Sequence, residues 1–282
     1  MKGLVMEGGA MRGVFTAGVI DVLMENNIKF DGGVGVSAGA CFGCNYKSNQ
    51  PGRVARYNLA FCDEPDYMSF RSMFKTGDLF NVNFAYDKIP NEYDPFDYEE
   101  YKRNPMEFYI VATDIEKGTP VYKRLDSIEG ENMKWLNASA AMPIAAKIVE
   151  IQGRKFLDGG VTDSIPLKFF IHKGYDKNVV ILTQPADYEK KSNKLEPIID
   201  KKYKEYPNLI KASKIRHIRY NRSLEYIKEK EKTGECLVIQ PKEKLAIGRI
   251  THDPALVLDA YMSGRVVGAE NLEKVKKYLG EK

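Results

Sequence analysis

The sequence lacks the features that mark membrane-spanning and disulfide-stabilised secreted proteins. No stretch approaches the roughly 18–20 apolar residues that a membrane-spanning helix requires. The N-terminus has no apolar core long enough for a signal peptide. Four cysteines in 282 residues do not form a disulfide framework. We therefore expect a cytoplasmic protein, whose contact with any membrane would be peripheral.

Two of the cysteines, Cys41 and Cys44, form a C-x-x-C pair. Such a pair suggests redox or metal chemistry, but it supplies only half of a tetrahedral zinc site. The pair also falls within a predicted helix that follows Ser37, where small apolar residues pack against a sheet. The pattern therefore favours core packing over chemistry.

Charge is unevenly distributed along the chain, although the formal net charge is only +4. Residues 188–232 contain 14 Lys and Arg against 7 Asp and Glu, so they carry +7 while the remainder carries −3. These residues either form a solvated helical cover or contact anionic lipid headgroups, at up to about 1 kcal/mol per basic residue. No nucleic-acid motif accompanies them, so nucleic acid is not an expected partner.

The order of predicted elements indicates an α/β fold. A strand, a glycine turn and a helix occur twice in the first 47 residues, which predicts parallel strands joined by crossover helices. No repeat or linker interrupts the chain, so residues 1–282 are expected to form a single domain, with 186–235 as a basic helical segment within it. Further strands are predicted at Glu107–Asp114, Pro120–Leu125, Ile148–Ile151, Arg154–Leu157, Val179–Thr183 and Cys236–Gln240, and a last helix at Pro254–Leu279.

The second glycine turn carries the strongest catalytic signal. Gly35, Ser37 and Gly39 have the G-x-S-x-G spacing of a nucleophile elbow, in which a serine on a tight strand-to-helix turn projects its hydroxyl above the sheet. The flanking glycines remove side chains that would collide there. A helix that starts at Ala38 would direct its N-terminal amides toward a developing negative charge. The alternative is a glycine-rich turn with an incidental serine.

The first glycine turn, Gly8-Gly9-Ala10-Met11-Arg12-Gly13, permits two interpretations. A dinucleotide fingerprint would need glycine at Ala10, with Asp31 as the ribose-binding acid. The simpler interpretation is a loop of backbone N–H groups at a helix N-terminus, suited to an oxyanion or another anion, with Arg12 adding positive charge. A nucleotide- or phosphate-binding module using residues 8–13 therefore stays as an alternative function.

The base that would activate Ser37 is the next question. An α/β-hydrolase would use an acid and a later histidine, for which His172, His217 and His252 are the candidates. That fold needs several strands before its nucleophile, and 36 residues cannot hold them with their crossover helices. The sequence thus favours a base other than histidine, and a Ser-Asp-His triad is the alternative.

An aromatic segment separates the elbow from the next predicted strand. Residues 63–103 are interrupted by Asp, Asn and Pro, so no long helix is expected. The segment is either a satellite hydrophobic cluster under long loops or a lid or acyl-binding wall near Ser37. Its aromatic residues are Tyr67, Phe70, Phe74, Phe80, Phe84, Tyr86, Tyr93, Phe96, Tyr98 and Tyr101.

Four motifs in order resemble the patatin-like phospholipase family, over roughly residues 3–183. They are the glycine-rich loop 8–13 with its basic residue, the elbow at Ser37, the small-residue helix around 138–143, and Asp158-Gly159-Gly160. The family often has Asn where this chain has Asp163, so a contact from that position is in doubt. The resemblance implies a three-layer α/β/α fold with a mostly parallel central sheet and helices on both faces.

The resemblance also implies the chemistry. Ser37 and Asp158 would form a catalytic dyad that hydrolyses lipid carboxylic esters, with no cofactor or metal ion. The oxyanion hole would be formed by Gly8, Gly9, Ala10, Arg12 and Gly13. An exposed carboxylate with a pKa of about 3.9 is a poor base for a hydroxyl, so Asp158 is expected to be partly desolvated.

Overall fold

Eight strands form one sheet in the computed structural model, which describes residues 1–280. The path through the sheet is β5-β6-β3-β2-β1-β7-β8, and β4 pairs with β3. The strands are β1 (Lys2–Met6), β2 (Gly32–Val36), β3 (Glu107–Asp114), β4 (Thr119–Arg124), β5 (Val149–Ile151), β6 (Arg154–Asp158), β7 (Lys177–Ile181) and β8 (Cys236–Ile239).

The sheet is mixed. Strands β3, β2, β1, β7 and β8 are parallel neighbours in that order. The pairs β3–β4, β3–β6 and β5–β6 are antiparallel. Because the carboxyl ends of parallel strands lie at one edge, the turns that follow β1 and β2 meet there. This edge holds the glycine loop and Ser37.

Helices surround the sheet. Their bounds are α1 (Gly13–Glu25), α2 (Ala38–Lys47), α3 (Arg53–Phe61), α4 (Phe70–Thr76), α5 (Tyr98–Arg103), α6 (Glu131–Ala140), α7 (Leu167–His172), α8 (Glu196–Lys202), α9 (Pro207–Lys214), α10 (Arg216–Lys232) and α11 (Pro254–Leu279). A π-helix spans Phe84–Tyr93, and short 3-10 turns span Ala10–Arg12 and Gly159–Val161. Within residues 1–280, no helix combines the length and the apolar character needed to cross a membrane.

The alternation of strand side chains explains the three layers. Leu4 and Met6 of β1 belong to the hydrophobic cluster that also contains core residues of α1, α2, α6 and α11. Val5 of the same strand belongs to the cluster formed with α7 and α10. Successive strand residues point to opposite faces, so each face of the sheet is covered by helices. The predicted α/β/α architecture is confirmed.

One pattern in the basic segment does not follow a single helix. Leu209, Ala212, Ile215 and Ile218 have helical spacing, but α9 ends at Lys214 and α10 begins at Arg216. Leu209 and Ala212 are buried with α8, whereas Ile218 is exposed. The break lets α10 turn its buried residues toward a different cluster. The small-residue helix expected around residues 138–143 is the end of α6, which stops at Ala140, before Pro143.

Candidate active site

Ser37 sits on a very tight turn between β2 and α2. Its backbone has φ 55° and ψ −122°, a conformation that residues other than glycine rarely adopt. A Cβ at Gly35 would overlap the carbonyl oxygen of Gly39, and a Cβ at Gly39 would lie 2.5 Å from the carbonyl oxygen of Met6. The G-x-S-x-G spacing therefore reflects a turn that has no room for side chains on either side of the serine.

A second serine, which the sequence analysis did not identify, anchors this turn. The backbone N–H of Ser37 donates to Ser139 Oγ at 3.0 Å. Ser139 Oγ in turn donates to the carbonyl of Val111 in β3 at 2.6 Å. Ser139 is fully buried on α6, so its hydroxyl ties the elbow to the neighbouring strand. In the sequence, Ser139 is a polar residue within a run of alanines. This pattern predicts close packing of the helix but not the hydrogen bond to Ser37.

Asp158 lies at the end of β6 and reaches the elbow from the other side. It is buried, and its Oδ1 accepts a hydrogen bond from the Gly160 N–H at 2.7 Å. The Ser37 side chain interacts with its carboxylate, and both residues line the same cavity. Burial raises the pKa of Asp158, against the opposing effects of the Ser37 side chain and the positive charge of Arg216. The structure thus brings together two side chains that are 121 residues apart in the sequence.

The glycine loop lies directly against Ser37. A Cβ at Gly8 would be 3.1 Å from the Ser37 Cβ. The backbone N–H groups of Gly8, Gly9 and Ala10 donate no hydrogen bond within residues 1–280. Gly13 packs where α1 begins, since a Cβ there would be 2.7 Å from Ala38 Cβ. A row of unpaired amides beside a hydroxyl is the arrangement that stabilises a developing oxyanion.

An apolar cavity opens on one side of Ser37. Cys41 and Cys44 of α2 lie in its wall, and burial raises their pKa values to about 11 and about 12. Both thiols are therefore protonated at neutral pH, as packing residues would be. Some side chains of the aromatic segment line this cavity near Ser37, and others form a buried hydrophobic cluster behind its wall. The segment therefore has features of both the wall and the hydrophobic cluster that the sequence predicts. The wall includes Tyr57, Tyr67, Phe80, Tyr86, Ile89, Phe96 and Leu136.

A second cavity, of about 230 Å³, opens on another side of Ser37. We call it the polar cavity because charged side chains line it, and apolar side chains such as Leu79, Ile144 and Leu195 complete its wall. Gly8, Gly9 and Asp158 line it, together with the carboxylate of Glu7. Its four cationic side chains are Arg12, Lys190, Arg216 and Arg249. Lys190 and Arg216 belong to the basic segment, which the sequence analysis treated as a solvated cover or a membrane-facing surface.

Several candidates of the sequence analysis lie elsewhere. Asp163 lines neither cavity, and its Oδ2 accepts a hydrogen bond from Tyr122 at 2.7 Å. None of the three histidines lines either cavity. Asp31 stands at the opposite end of β2 from Ser37, and its Oδ2 accepts the Lys2 N–H at 2.7 Å. It therefore cannot reach a ribose bound at residues 8–13, as a dinucleotide site would require.

A family model described as patatin-like phospholipase matches residues 4–171. The chain belongs to the patatin-like phospholipase family. A second model, described as a domain of unknown function (DUF6363), matches residues 206–280. Membership supports lipid acyl hydrolase activity in general, and it agrees with the fold described above.

Individual proteins are similar to this chain over nearly its whole length. The uncharacterized protein YjjU of Escherichia coli K12 is 28% identical, over 99% of this chain and 79% of its own length. Lysophospholipase nte1 of Aspergillus terreus is 26% identical over 97% of this chain, which spans 18% of that longer protein. The crystal structure of VipD from Legionella pneumophila aligns with a TM-score of 0.51 at 13% identity, over 97% of this chain and 67% of VipD.

Proposed function

We propose that this protein is a serine acyl hydrolase that cleaves carboxylic esters of phospholipids or lysophospholipids with a Ser37–Asp158 dyad. The observation that carries the proposal is the position of Ser37 against the buried Asp158 carboxylate, with which its side chain interacts. The amides of Gly8, Gly9 and Ala10 lie beside them and donate no hydrogen bond within residues 1–280. A hydroxyl that donates to a base, next to donors for an oxyanion, is the minimum arrangement for acyl transfer.

Acylation of the serine is the first half of the reaction. Ser37 Oγ attacks the ester carbonyl carbon while its proton moves to the Asp158 carboxylate. The negative oxygen of the tetrahedral intermediate accepts hydrogen bonds from the amides of Gly8, Gly9 and Ala10. Asp158 then gives the proton to the alcohol oxygen as the carbon–oxygen bond breaks, which leaves the acyl group on Ser37.

Deacylation repeats these roles with water. Water attacks the acyl-Ser37 carbonyl, Asp158 accepts its proton and returns it to Ser37 Oγ, and the fatty acid leaves. A carboxylate is a weaker base than imidazole. Both the raised pKa of Asp158 and the oxyanion hole therefore contribute to lowering the activation barrier. One well-placed oxyanion donor contributes roughly 3–4 kcal/mol.

The two cavities suggest how a lipid ester lies in the site. Both include Ser37 in their walls, so the scissile ester can sit where they meet. The apolar, aromatic-lined cavity suits the acyl chain, since burial of a CH₂ group contributes about 0.8 kcal/mol. The alcohol part of the ester then extends into the polar cavity.

Fluorophosphonate labelling and fatty-acid release test the proposal together. We expect Ser37→Ala to lose both labelling and turnover. We expect Asp158→Asn to lower kcat by at least 1,000-fold, because the amide cannot accept the serine proton. Asp163→Asn is the matched control, since it changes a half-buried carboxylate close in sequence that lines neither cavity. Full activity in Ser37→Ala, or equal losses in the two Asp variants, would contradict the dyad.

A further inference from the structure

We propose that the polar cavity beside Ser37 is a headgroup site for a phosphate monoester, so that the preferred substrate is an acylglycerol phosphate rather than a choline or neutral lipid. The inference rests on the proposed function and names the substrate class of that site. Its principal residues beyond the glycine loop are Lys190, Arg216 and Arg249, which lie outside the residues 4–171 that the patatin-like model matches.

The first argument is an excess of positive charge without partners. Arg12, Lys190, Arg216 and Arg249 line the cavity, and the facing carboxylates are Glu7 and Asp158. Across residues 1–280, no carboxylate lies within 4 Å of any of these four cationic groups. Guanidinium groups match phosphate oxygens in geometry as well as charge. A dianion in the cavity would offset a charge excess that the protein itself leaves uncompensated.

Two of these cations have buried atoms and no carboxylate partner among residues 1–280. Lys190 is only 8% exposed, and the Arg12 Nε is buried without a hydrogen-bond partner among the described residues. Burial, and then the charge of Arg216, lower the pKa of Lys190 to about 7. Unpaired buried charge is costly. A ligand with several acceptor oxygens would satisfy these donors and raise the pKa of Lys190, which favours its charged form.

The second argument concerns the negative groups. Glu7 Oε1 accepts the Tyr220 hydroxyl at 2.6 Å, and Oε2 accepts the Thr183 N–H at 2.6 Å and its hydroxyl at 3.1 Å. Asp158 is held by Ser37 and Gly160. Both carboxylates already serve internal donors, so neither is free to receive a cationic headgroup.

The third argument excludes choline specifically. Quaternary ammonium groups bind to the faces of aromatic rings, and Tyr220 is a ring in the wall of the cavity. The Lys190 ammonium already lies 4.0 Å from the centre of that ring. A trimethylammonium group would meet Lys190 and the three arginines rather than an open aromatic face.

Arg216 connects the headgroup site to the catalytic turn. Its Nε donates to the carbonyl of Gly160, two residues after Asp158, and its charge lowers the Asp158 pKa against the effect of burial. A phosphate bound there would lie close to the reacting ester. Such a short separation between ester and phosphate suits a glycerol backbone, which places few atoms between the two groups.

The test compares three esters with the same acyl chain in the same detergent micelles: 1-oleoylglycerol 3-phosphate, 1-oleoylglycerophosphocholine and 1-oleoylglycerol. We expect kcat/KM for the phosphate monoester to exceed the other two by at least tenfold. Lys190→Met and Arg249→Gln should each reduce that ratio about tenfold. Lys191→Met and Arg222→Gln are matched controls at exposed positions outside the cavity, and they should leave the ratio unchanged.

The outcomes separate this inference from the proposed function. Equal kcat/KM values for the three esters would overturn the headgroup site and leave the hydrolase intact. Failure to cleave any of them, with no labelling of Ser37, would overturn the proposed function. Lys190→Met removes a buried ammonium that has no carboxylate partner among residues 1–280. We therefore expect it to raise the melting temperature, so a loss of preference cannot be assigned to unfolding.

Inorganic phosphate distinguishes a headgroup site from a site for free phosphate. We expect it to raise KM for the phosphate monoester in the wild type, and to do so less in Arg249→Gln. Equal inhibition of all three esters, without any preference among them, would indicate a free-phosphate site and overturn the headgroup assignment.

Discussion

At the scale of single residues, the site depends on groups held in conformations or environments that cost free energy. Ser37 has positive φ, and such strain costs on the order of 1–3 kcal/mol. Ser139 stabilises this backbone by accepting the Ser37 N–H. Asp158 is buried, and the Gly160 N–H and the Ser37 side chain partly compensate for its lost solvation. The surroundings of Ser37 therefore include a buried hydroxyl and a buried carboxylate, each held by neighbouring groups.

The raised pKa of Asp158 predicts a pH dependence. Asp158 accepts a proton only when ionised, so kcat/KM should fall as pH drops through its pKa. The fall should begin at a higher pH than for an ordinary aspartate, whose pKa is about 3.9. Measuring kcat/KM with neutral 1-oleoylglycerol avoids titration of the substrate.

A substitution of Arg216 tests whether Asp158 is the group responsible for this pH dependence. Its charge lowers the Asp158 pKa, so Arg216→Gln should move the acid limb of the profile to higher pH. Arg222→Gln changes an exposed arginine on the same helix and should not move the limb. An unchanged limb in Arg216→Gln would show that Asp158 is not the titrating base.

At the scale of elements, the crossing of α1 and α11 supports the glycine loop. A Cβ at Gly264 would overlap the carbonyl oxygen of Phe15, and a Cβ at Gly18 would overlap that of Tyr261. The two helices therefore pack backbone against backbone. Because α1 begins at Gly13, directly after the loop, this crossing fixes where the loop amides lie relative to Ser37.

Two glycines of α11 give a graded test of this crossing. Gly264→Ala should lower the free energy of unfolding by about 1–3 kcal/mol, since the added methyl group has no space. Gly268→Ala adds a methyl group 3.2 Å from the Val19 Cα, and a helix-propensity gain of about 1 kcal/mol opposes that crowding. Urea unfolding of both variants measures the difference. Equal effects would show that the close crossing is not maintained in solution.

At the scale of the whole molecule, the regions matched by the two family models share one sheet and one site. Strand β8 lies within residues 206–280 and pairs with β7, which pairs with β1. Helix α11 packs against α1, and Arg216 and Arg249 line the cavity next to Ser37. The later part of the chain thus completes the structure around the catalytic turn.

This sharing predicts that the full chain unfolds in one cooperative transition. The two regions contribute strands to one sheet, and their helices α1 and α11 pack against each other. Unfolding of one region alone would therefore expose large apolar surfaces of the other. Differential scanning calorimetry and tryptophan fluorescence of Trp135 should report the same midpoint. Two resolved transitions would contradict the expectation of a single domain.

Much of the framework was determined by the sequence alone, because it depends on local steric rules. Strand β3, helix α2 and helix α11 have the predicted bounds. Gly35 and Gly39 mark a turn that excludes side chains, a property of the backbone that a short motif can express. The motif order indicated the family, and the match over residues 4–171 confirms it. Contact of residues 188–232 with a membrane stays a prediction.

Only the tertiary structure decided how distant residues meet. Folding brings Ser37 against Asp158, places Ser139 under the Ser37 turn and points Lys190 into the polar cavity, although these residues are far apart along the chain. Sequence charge shows that a lysine is present, but not whether folding buries it or leaves it in water. Whether the lysine is buried depends on the packing of the whole chain. In this protein that packing places Lys190 and Arg216 of the basic segment in the wall of the cavity beside Ser37.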